Sequence, residues 1–217
     1  MKRRSLWLLI AGLLLLGHTT CAKSSAPPQN TPQGSHGPVT EGTTIPEKGE
    51  NNGEGDFLFV AENNGVTITG YTGNARDIVI PQTINGETVV AVGNYAFIRK
   101  RLTSVTLPGT VTVIGTNAFS HNRLAELILP DSVTAVEHGA FSNNRLSSVN
   151  LSNSLTFIGT LAFAGNRIKK IILPDSIEFI GHMAFSRNQL DEVIVPERIN
   201  TFNSRAFDSY VRIIWER

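Results

Sequence analysis

The chain has 217 residues, 41% of them hydrophobic and 17% charged, and a formal net charge of +1. Beyond Lys2-Arg3-Arg4 its Lys and Arg are spread along the chain with no large basic cluster, which argues against a nucleic-acid partner that would need clustered cations to neutralise phosphates. A single cysteine, Cys21, excludes an intramolecular disulfide.

Residues 1–21 read as a targeting segment. Lys2, Arg3 and Arg4 precede an apolar run from Leu6 to Leu16 and a small polar step of Gly17, His18, Thr19 and Thr20. The run is shorter than the roughly 17–25 residues of a membrane-spanning helix. Cys21 falls where a bacterial lipoprotein signal peptidase would cut, and the segment resembles a lipoprotein signal with Cys21 as the lipidated residue. His18 stands where the usual motif has Leu, and an ordinary secretory signal cut nearby is the alternative. Removing residues 1–20 takes away three cations and leaves 16 Lys and Arg against 18 Asp and Glu, a formal charge of −2.

Residues 22–55 are rich in Pro, Gly, Ser, Thr, Asn and Gln and nearly empty of large apolar side chains. Such a segment buries too little surface to offset the entropy of ordering and is expected to be a tether, with a reach of roughly 30 Å as a flexible coil. Order is expected from Asp56. Phe57, Phe59 and Ala61 alternate, Asn63-Asn64-Gly65 suits a tight turn, and Val66 and Ile68 return the chain, so a β-hairpin caps the N-terminal end of the ordered region. Residues 56–101 comprise this cap and a divergent first repeat, which opens at Ile78 and carries an insertion around Ile84-Asn85-Gly86-Glu87.

Residues 102–217 are a repeat array with its own terminal cap. The pairs Ala96-Phe97, Ala118-Phe119, Ala140-Phe141, Ala162-Phe163, Ala184-Phe185 and Ala206-Phe207 recur every 22 residues. A fixed short period predicts a solenoid whose copies bury their apolar sides against one another. Each copy begins at Leu102, Leu124, Leu146, Ile168 or Leu190. Two columns, Val105, Leu127, Val149, Ile171, Val193 and Leu107, Leu129, Leu151, Leu173, Val195, are expected to point inward from a short strand in every copy, the strands being parallel. Pro108, Pro130, Pro174 and Pro196 end the strand, with Ser152 in the remaining copy. A second extended segment comes next, and Gly93, Gly115, Gly159 and Gly181 suit a left-handed or crowded backbone position. Phe97, Phe119, Phe141, Phe163, Phe185 and Phe207 are expected to stack inside. Trp215 is expected to close the end of the core, and the last copy carries no further anchor.

The unit Leu-x-x-Val-x-Leu-Pro, then Val-x-x-Ile-Gly and Ala-Phe-x-x-Asn-x-Leu, resembles the leucine-rich repeats of the BspA-like type, in the form common in treponemes, over roughly residues 66–215. The resemblance implies a mainly β solenoid, a right-handed superhelix of short parallel strands. It also implies an exported or surface protein of bacteria, of a family implicated in attachment to host matrix proteins such as fibronectin or fibrinogen, or to other bacteria.

Asn122, Asn144, Asn166 and Asn188 form a column expected to bond backbone groups in the turns, since side-chain amides do this in loops. Arg123, Arg145 and Arg167, with Gln189 in the last copy, form either an exposed basic stripe or a solvated face. The outward strand face is the candidate partner-binding surface: Thr106, Ile128, Asn150, Ile172 and Ile194 form its centre, with Glu126, Lys170 and Glu192 beside it. His138 and His182 share a column two rungs apart, roughly 10 Å by strand spacing, too far for one zinc ion. No nucleophile elbow, phosphate loop or metal motif occurs, and adjacent Asp191 and Glu192 face opposite ways on a strand. No cofactor, metal or catalytic residue is therefore expected. The leading expectation is a non-enzymatic, lipid-anchored protein-binding module of the outer membrane or cell surface, with a periplasmic scaffolding lipoprotein as the alternative.

Overall fold

The computed structural model describes residues 54–215 apart from 63, 198, 200 and 204. Cys21, the expected signal segment 1–21 and nearly all of the expected tether 22–55 lie outside the described residues. Within them the chain forms the expected solenoid of 22-residue turns with parallel strands, and the helical structure among the described residues is a single 3-10 turn, Glu54–Asp56.

Strands β1 (Phe57–Glu62) and β2 (Gly65–Tyr71) make an antiparallel hairpin with a bulge between Leu58 and Phe59. Its buried face carries Phe57, Val66, Ile68 and Tyr71, and the rings of Phe57 and Tyr71 lie 6.2 and 5.7 Å from that of Phe97. The hairpin thus covers the first ring of the repeat core, which a solenoid end otherwise leaves open. Burial pushes the Tyr71 phenol above its ordinary pKa, and the Asp56 charge adds to the shift.

Strand β3 (Asp77–Val79) opens the divergent turn, and its insertion is a second hairpin of β4 (Thr83–Ile84) on β5 (Glu87–Val92). Asn85 and Gly86, at φ 53° and 82°, supply the two left-handed positions of a two-residue connection. Strands β6 (Ser104–Thr106) and β7 (Val113–Ile114) belong to the next turn. Then come β8 (Glu126–Ile128) and β9 (Ala135–Val136), and β10 (Ser148–Asn150) and β11 (Phe157–Ile158). β12 (Phe179–Ile180), β13 (Glu192–Val195), β14 (Thr201–Phe202) and β15 (Arg212–Trp215) complete the stack.

The two strand faces differ. The second segments form one continuous parallel run, β2-β5-β7-β9-β11-β12-β14. The first segments pair only in couples, β3 with β6, β8 with β10 and β13 with β15. In the turn between β10 and β13 the contact is a lone parallel bridge from Ile172 to Ile194. The expected strand in every copy is therefore corrected to an interrupted ladder.

A column of mostly glycine lines the continuous side, where Glu137 and Asn203 hold the same position and the Glu137 amide still donates to Ile114 at 2.9 Å. A Cβ on Gly159 would lie 2.7 Å from the carbonyl carbon of Glu137, and one on Gly181 would lie 2.5 Å from the amide of Thr160. Their hydrogen atoms let successive turns close tightly beside the continuous sheet, and no such column stands beside the first segments. These glycines answer to crowding, not to a left-handed backbone. The left-handed positions flank the first five Ala-Phe pairs instead, at Tyr95, Asn117, Gly139, Leu161 and Met183 and at Arg99, His121, Asn143, Gly165 and Arg187.

The core is a one-dimensional stack. Phe97, Phe119, Phe141, Phe163, Phe185 and Phe207 lie ring on ring at 4.9, 5.3, 5.6, 5.2 and 5.2 Å, within 10° of parallel throughout. Offset stacked aromatic pairs at these separations contribute about 0.5–1.5 kcal/mol each beyond their buried area. The strand-ending residue closes a turn in each copy, with Val111, Val133, Leu155, Ile177 and Ile199 donating their amides to the carbonyls of Pro108, Pro130, Ser152, Pro174 and Pro196. Ser152 substitutes for proline by fixing the turn with its hydroxyl, which accepts the Ser154 amide at 3.0 Å.

A buried hydroxyl column runs beside the rings. Ser120 and Ser142 bond each other at 2.8 Å, Ala164 interrupts the series, and the Ser186 hydroxyl is left buried without a partner. At the far end Trp215 pairs in register with the buried Val195 and is 49% exposed, while Val211 is buried and Ile213 packs on the core. Residues two apart on a strand share a side, so Trp215 continues the inward side of Val211 and Ile213 at the open end of the stack.

Candidate functional site

Parallel register brings the central residues of the first segments into one outward column. Val79 pairs with Thr106, Ile128 with Asn150, and Ile194 with Ile172 and Ile214. Ile128, Ile172 and Ile194 are 68%, 73% and 52% exposed. Val79, at 51%, extends the apolar column towards the cap and is a residue that sequence reasoning missed. The signal was present in Ile78-Val79-Ile80, but the insertion after it shifts the 22-residue count.

Beside the column, Glu126, Lys170 and Glu192 are exposed, and Glu192 forms an ion pair with Arg212 of the neighbouring strand. Both partners are exposed, so the pair orders the rim of the face more than it stabilises the fold. Asn150 separates Ile128 from Ile172 and places a hydrogen-bonding amide in the middle of the apolar line.

Clefts open on this face where the ladder is interrupted. One of about 320 Å³ lies between Ser104–Leu107 and Glu126–Ile128. A second of about 510 Å³ separates Ser148–Leu151 from the turn at Lys170 and Ile172. The third, about 610 Å³, is lined by Lys170, Ile172, Glu192 and Ile194. The face thus combines isolated aliphatic knobs, shallow recesses between them and charges of both signs at the edge. This suits contact with another folded surface better than enclosure of a small molecule.

The asparagine and phenylalanine columns lie elsewhere, in the interior. The Asn166 amide donates to the carbonyls of Phe141 and Phe163 at 3.0 and 2.9 Å, and its oxygen accepts the Leu146 amide at 3.0 Å. Asn122, Asn144 and Asn188 repeat this arrangement around Phe97, Phe119, Phe141, Phe163 and Phe185. Among the described residues no group of three or more His, Cys, Asp or Glu side chains gathers as a metal site, and no helix is long and apolar enough to cross a membrane.

Residues 90–213 match the pattern of the BspA type leucine rich repeat region in six copies. Among solved structures, the chain is similar to a leucine-rich-repeat protein of T. pallidum, with 25% identity over 76% of this chain and 86% of that one and a TM-score of 0.63. It is also similar in fold to a leucine-rich-repeat protein from Bacteroides ovatus (23% identity, 74% of this chain, 51% of that one, TM-score 0.55). A third similar fold is that of a leucine-rich-repeat protein from Eubacterium ventriosum (18% identity, 74% and 42%, TM-score 0.52). No curated protein matches significantly.

Proposed function

We propose, for a chain that belongs to the BspA-type leucine-rich repeat family, that it is a protein-binding module held at the bacterial cell surface by lipid on Cys21. Its partner is a host matrix protein or a surface protein of another cell. The binding surface is the interrupted strand face of Thr106, Ile128, Asn150, Ile172 and Ile194, with Glu126, Lys170 and Glu192 at its rim. The observation that carries this reading is the outward exposure of Ile128, Ile172 and Ile194 beside open clefts. Ile172 and Ile194 adjoin on neighbouring turns, with Ile128 beyond Asn150, and exposed aliphatics aligned on a repeat face mark interaction surfaces.

Ile128→Glu with Ile172→Glu tests the face. Both side chains stand in solvent, so thermal unfolding should be nearly unchanged, while binding to immobilised fibronectin or fibrinogen should weaken at least about tenfold as charge enters an apolar contact. Unchanged binding by the folded double variant removes this face from the interface. Binding of neither matrix protein by the parent chain removes those two ligands.

The anchor is tested separately. Palmitate label should enter the parent chain in growing cells and be lost in Cys21→Ser. Label that persists in the variant refutes lipidation at Cys21. Residues 22–55 would serve as the tether between lipid and solenoid, consistent with their scarcity of large apolar side chains.

A further inference from the structure

Charge is segregated on this solenoid in a way the net value conceals. Arg101, Arg123, Arg145 and Arg167 occupy the same position in four successive turns, and all four are exposed. The amides of Arg123, Arg145 and Arg167 donate to the carbonyls of Leu102, Leu124 and Leu146 of the preceding turns at 2.7, 3.0 and 2.9 Å. The backbone therefore holds these arginines one rung apart. The rung is about 4.8 Å by strand spacing, and the ring stack beneath repeats at 4.9–5.6 Å.

Over the turns of Arg123, Arg145 and Arg167 the columns on either side carry no carboxylate, whereas beside Arg101 the Asp77 carboxylate accepts the Thr103 hydroxyl at 2.6 Å. Ala125 and Ser147 stand two residues after Arg123 and Arg145, Lys169 follows Arg167, and His121, Asn143 and Gly165 stand two residues before. Acidic side chains appear at the far end, where Asp191 shares the Lys169 column and Asp208 accepts the amides of Arg187 and Asn188. Among the described residues the ion pair is Arg212 with Glu192, so Arg123, Arg145 and Arg167 are not neutralised by a neighbour. Ala125, Ser147 and Gly165 are small, which leaves the guanidinium line open beside them.

We infer that this edge binds a linear sulfated polysaccharide laid along the solenoid axis across Arg101, Arg123, Arg145, Arg167 and Lys169. A saccharide unit is about as long as one rung, so a chain bearing about one anionic group per sugar meets the cation line in register. Guanidinium groups suit sulfate oxygens because their planar donors form paired hydrogen bonds. Nucleic acid fits less well. Single strands are held by bases stacked on Phe, Tyr or Trp side chains as well as by charge, and these columns contain none of the three. The site runs beside the face proposed for proteins and meets it at Lys169, which lines the clefts of about 510 and 610 Å³, but it rests on the arginine column and takes a different ligand class.

The test measures binding of a heparin oligosaccharide to the purified chain over a range of salt. The parent should bind, with affinity falling as salt rises. Arg123→Gln, Arg145→Gln and Arg167→Gln combined should weaken binding by about 30-fold, a few-fold for each exposed charge pair. The slope of log K against log salt should fall by about 2, from roughly 0.7 for each of three lost contacts. Ile128→Ser with Ile172→Ser, which adds no charge, should leave heparin binding unchanged. Absence of binding by the parent at low salt, or full binding by the triple variant, overturns the proposal. Equal, arginine-dependent binding to duplex DNA or to phosphatidylserine vesicles also overturns it, by showing general attraction to anions.

Discussion

Phe141→Ala should lower the free energy of unfolding by about 4 kcal/mol, the range for emptying a well-packed aromatic site. Phe141 is fully buried and lies between Phe119 at 5.3 Å and Phe163 at 5.6 Å, so truncation removes two ring contacts as well as the buried area. The cavity has no easy way to close, because the turns on both sides are tied by backbone bonds. The Phe141 amide donates to Ala162 and the Phe119 amide to Ala140. In a solenoid the interface between neighbouring turns carries the coupling along the stack. Urea unfolding should accordingly lose cooperativity and separate into two transitions. Phe157→Ala is the control. Phe157 stacks on Phe179 at 4.9 Å but on the outer, half-buried side of the continuous sheet, and about 1 kcal/mol is expected. Equal costs for the two substitutions would show that the inner stack does not hold the turns together.

Asn166→Ala should be as damaging by a different route, again about 4 kcal/mol. One amide serves two carbonyls and one backbone amide from two turns, all out of water. Deleting it leaves buried polar groups unmet, at about 1–3 kcal/mol for each. Asn166→Asp separates donor from acceptor. It keeps an acceptor for Leu146 but turns a carboxylate towards the carbonyl oxygens of Phe141 and Phe163, so at neutral pH it should fare no better than alanine. Urea midpoints for both variants check this. A loss below about 1 kcal/mol for Asn166→Ala would mean that the turn finds other partners.

The protein-binding face and the basic edge arise from the same repeat but differ in how far the residues announce them. Ile128, Ile172 and Ile194 share a column by counting alone. Their exposure follows from strand alternation, since Leu127 and Val193 on either side of the backbone are buried. The clefts between the turns were not legible, because they depend on which of two strand ladders closes. Both segments have strand-like sequences, and only their contacts with the preceding turn distinguish them. Trp215 is a case where alternation suffices, since it lies two residues beyond Ile213, and the register of β15 on β13 sets it beside the buried Val195.

The amino-acid sequence by itself determined the 22-residue period, the parallel stacking it requires, and the identity of the inward phenylalanine and asparagine columns. These are properties of one unit repeated, and each copy supplies the neighbour that buries the last. Tertiary structure alone decided what depends on the spacing between units. The second ladder runs unbroken along one side, with Gly159 and Gly181 in close contact with the turns before them, the first ladder breaks into pairs along the other, and the clefts open there. It also set the spacing and exposure of the arginine column, whose membership the 22-residue count already gave. Arg123, Arg145 and Arg167 are 22 residues apart in the chain, and backbone bonds between turns bring them one rung apart, where their fields add.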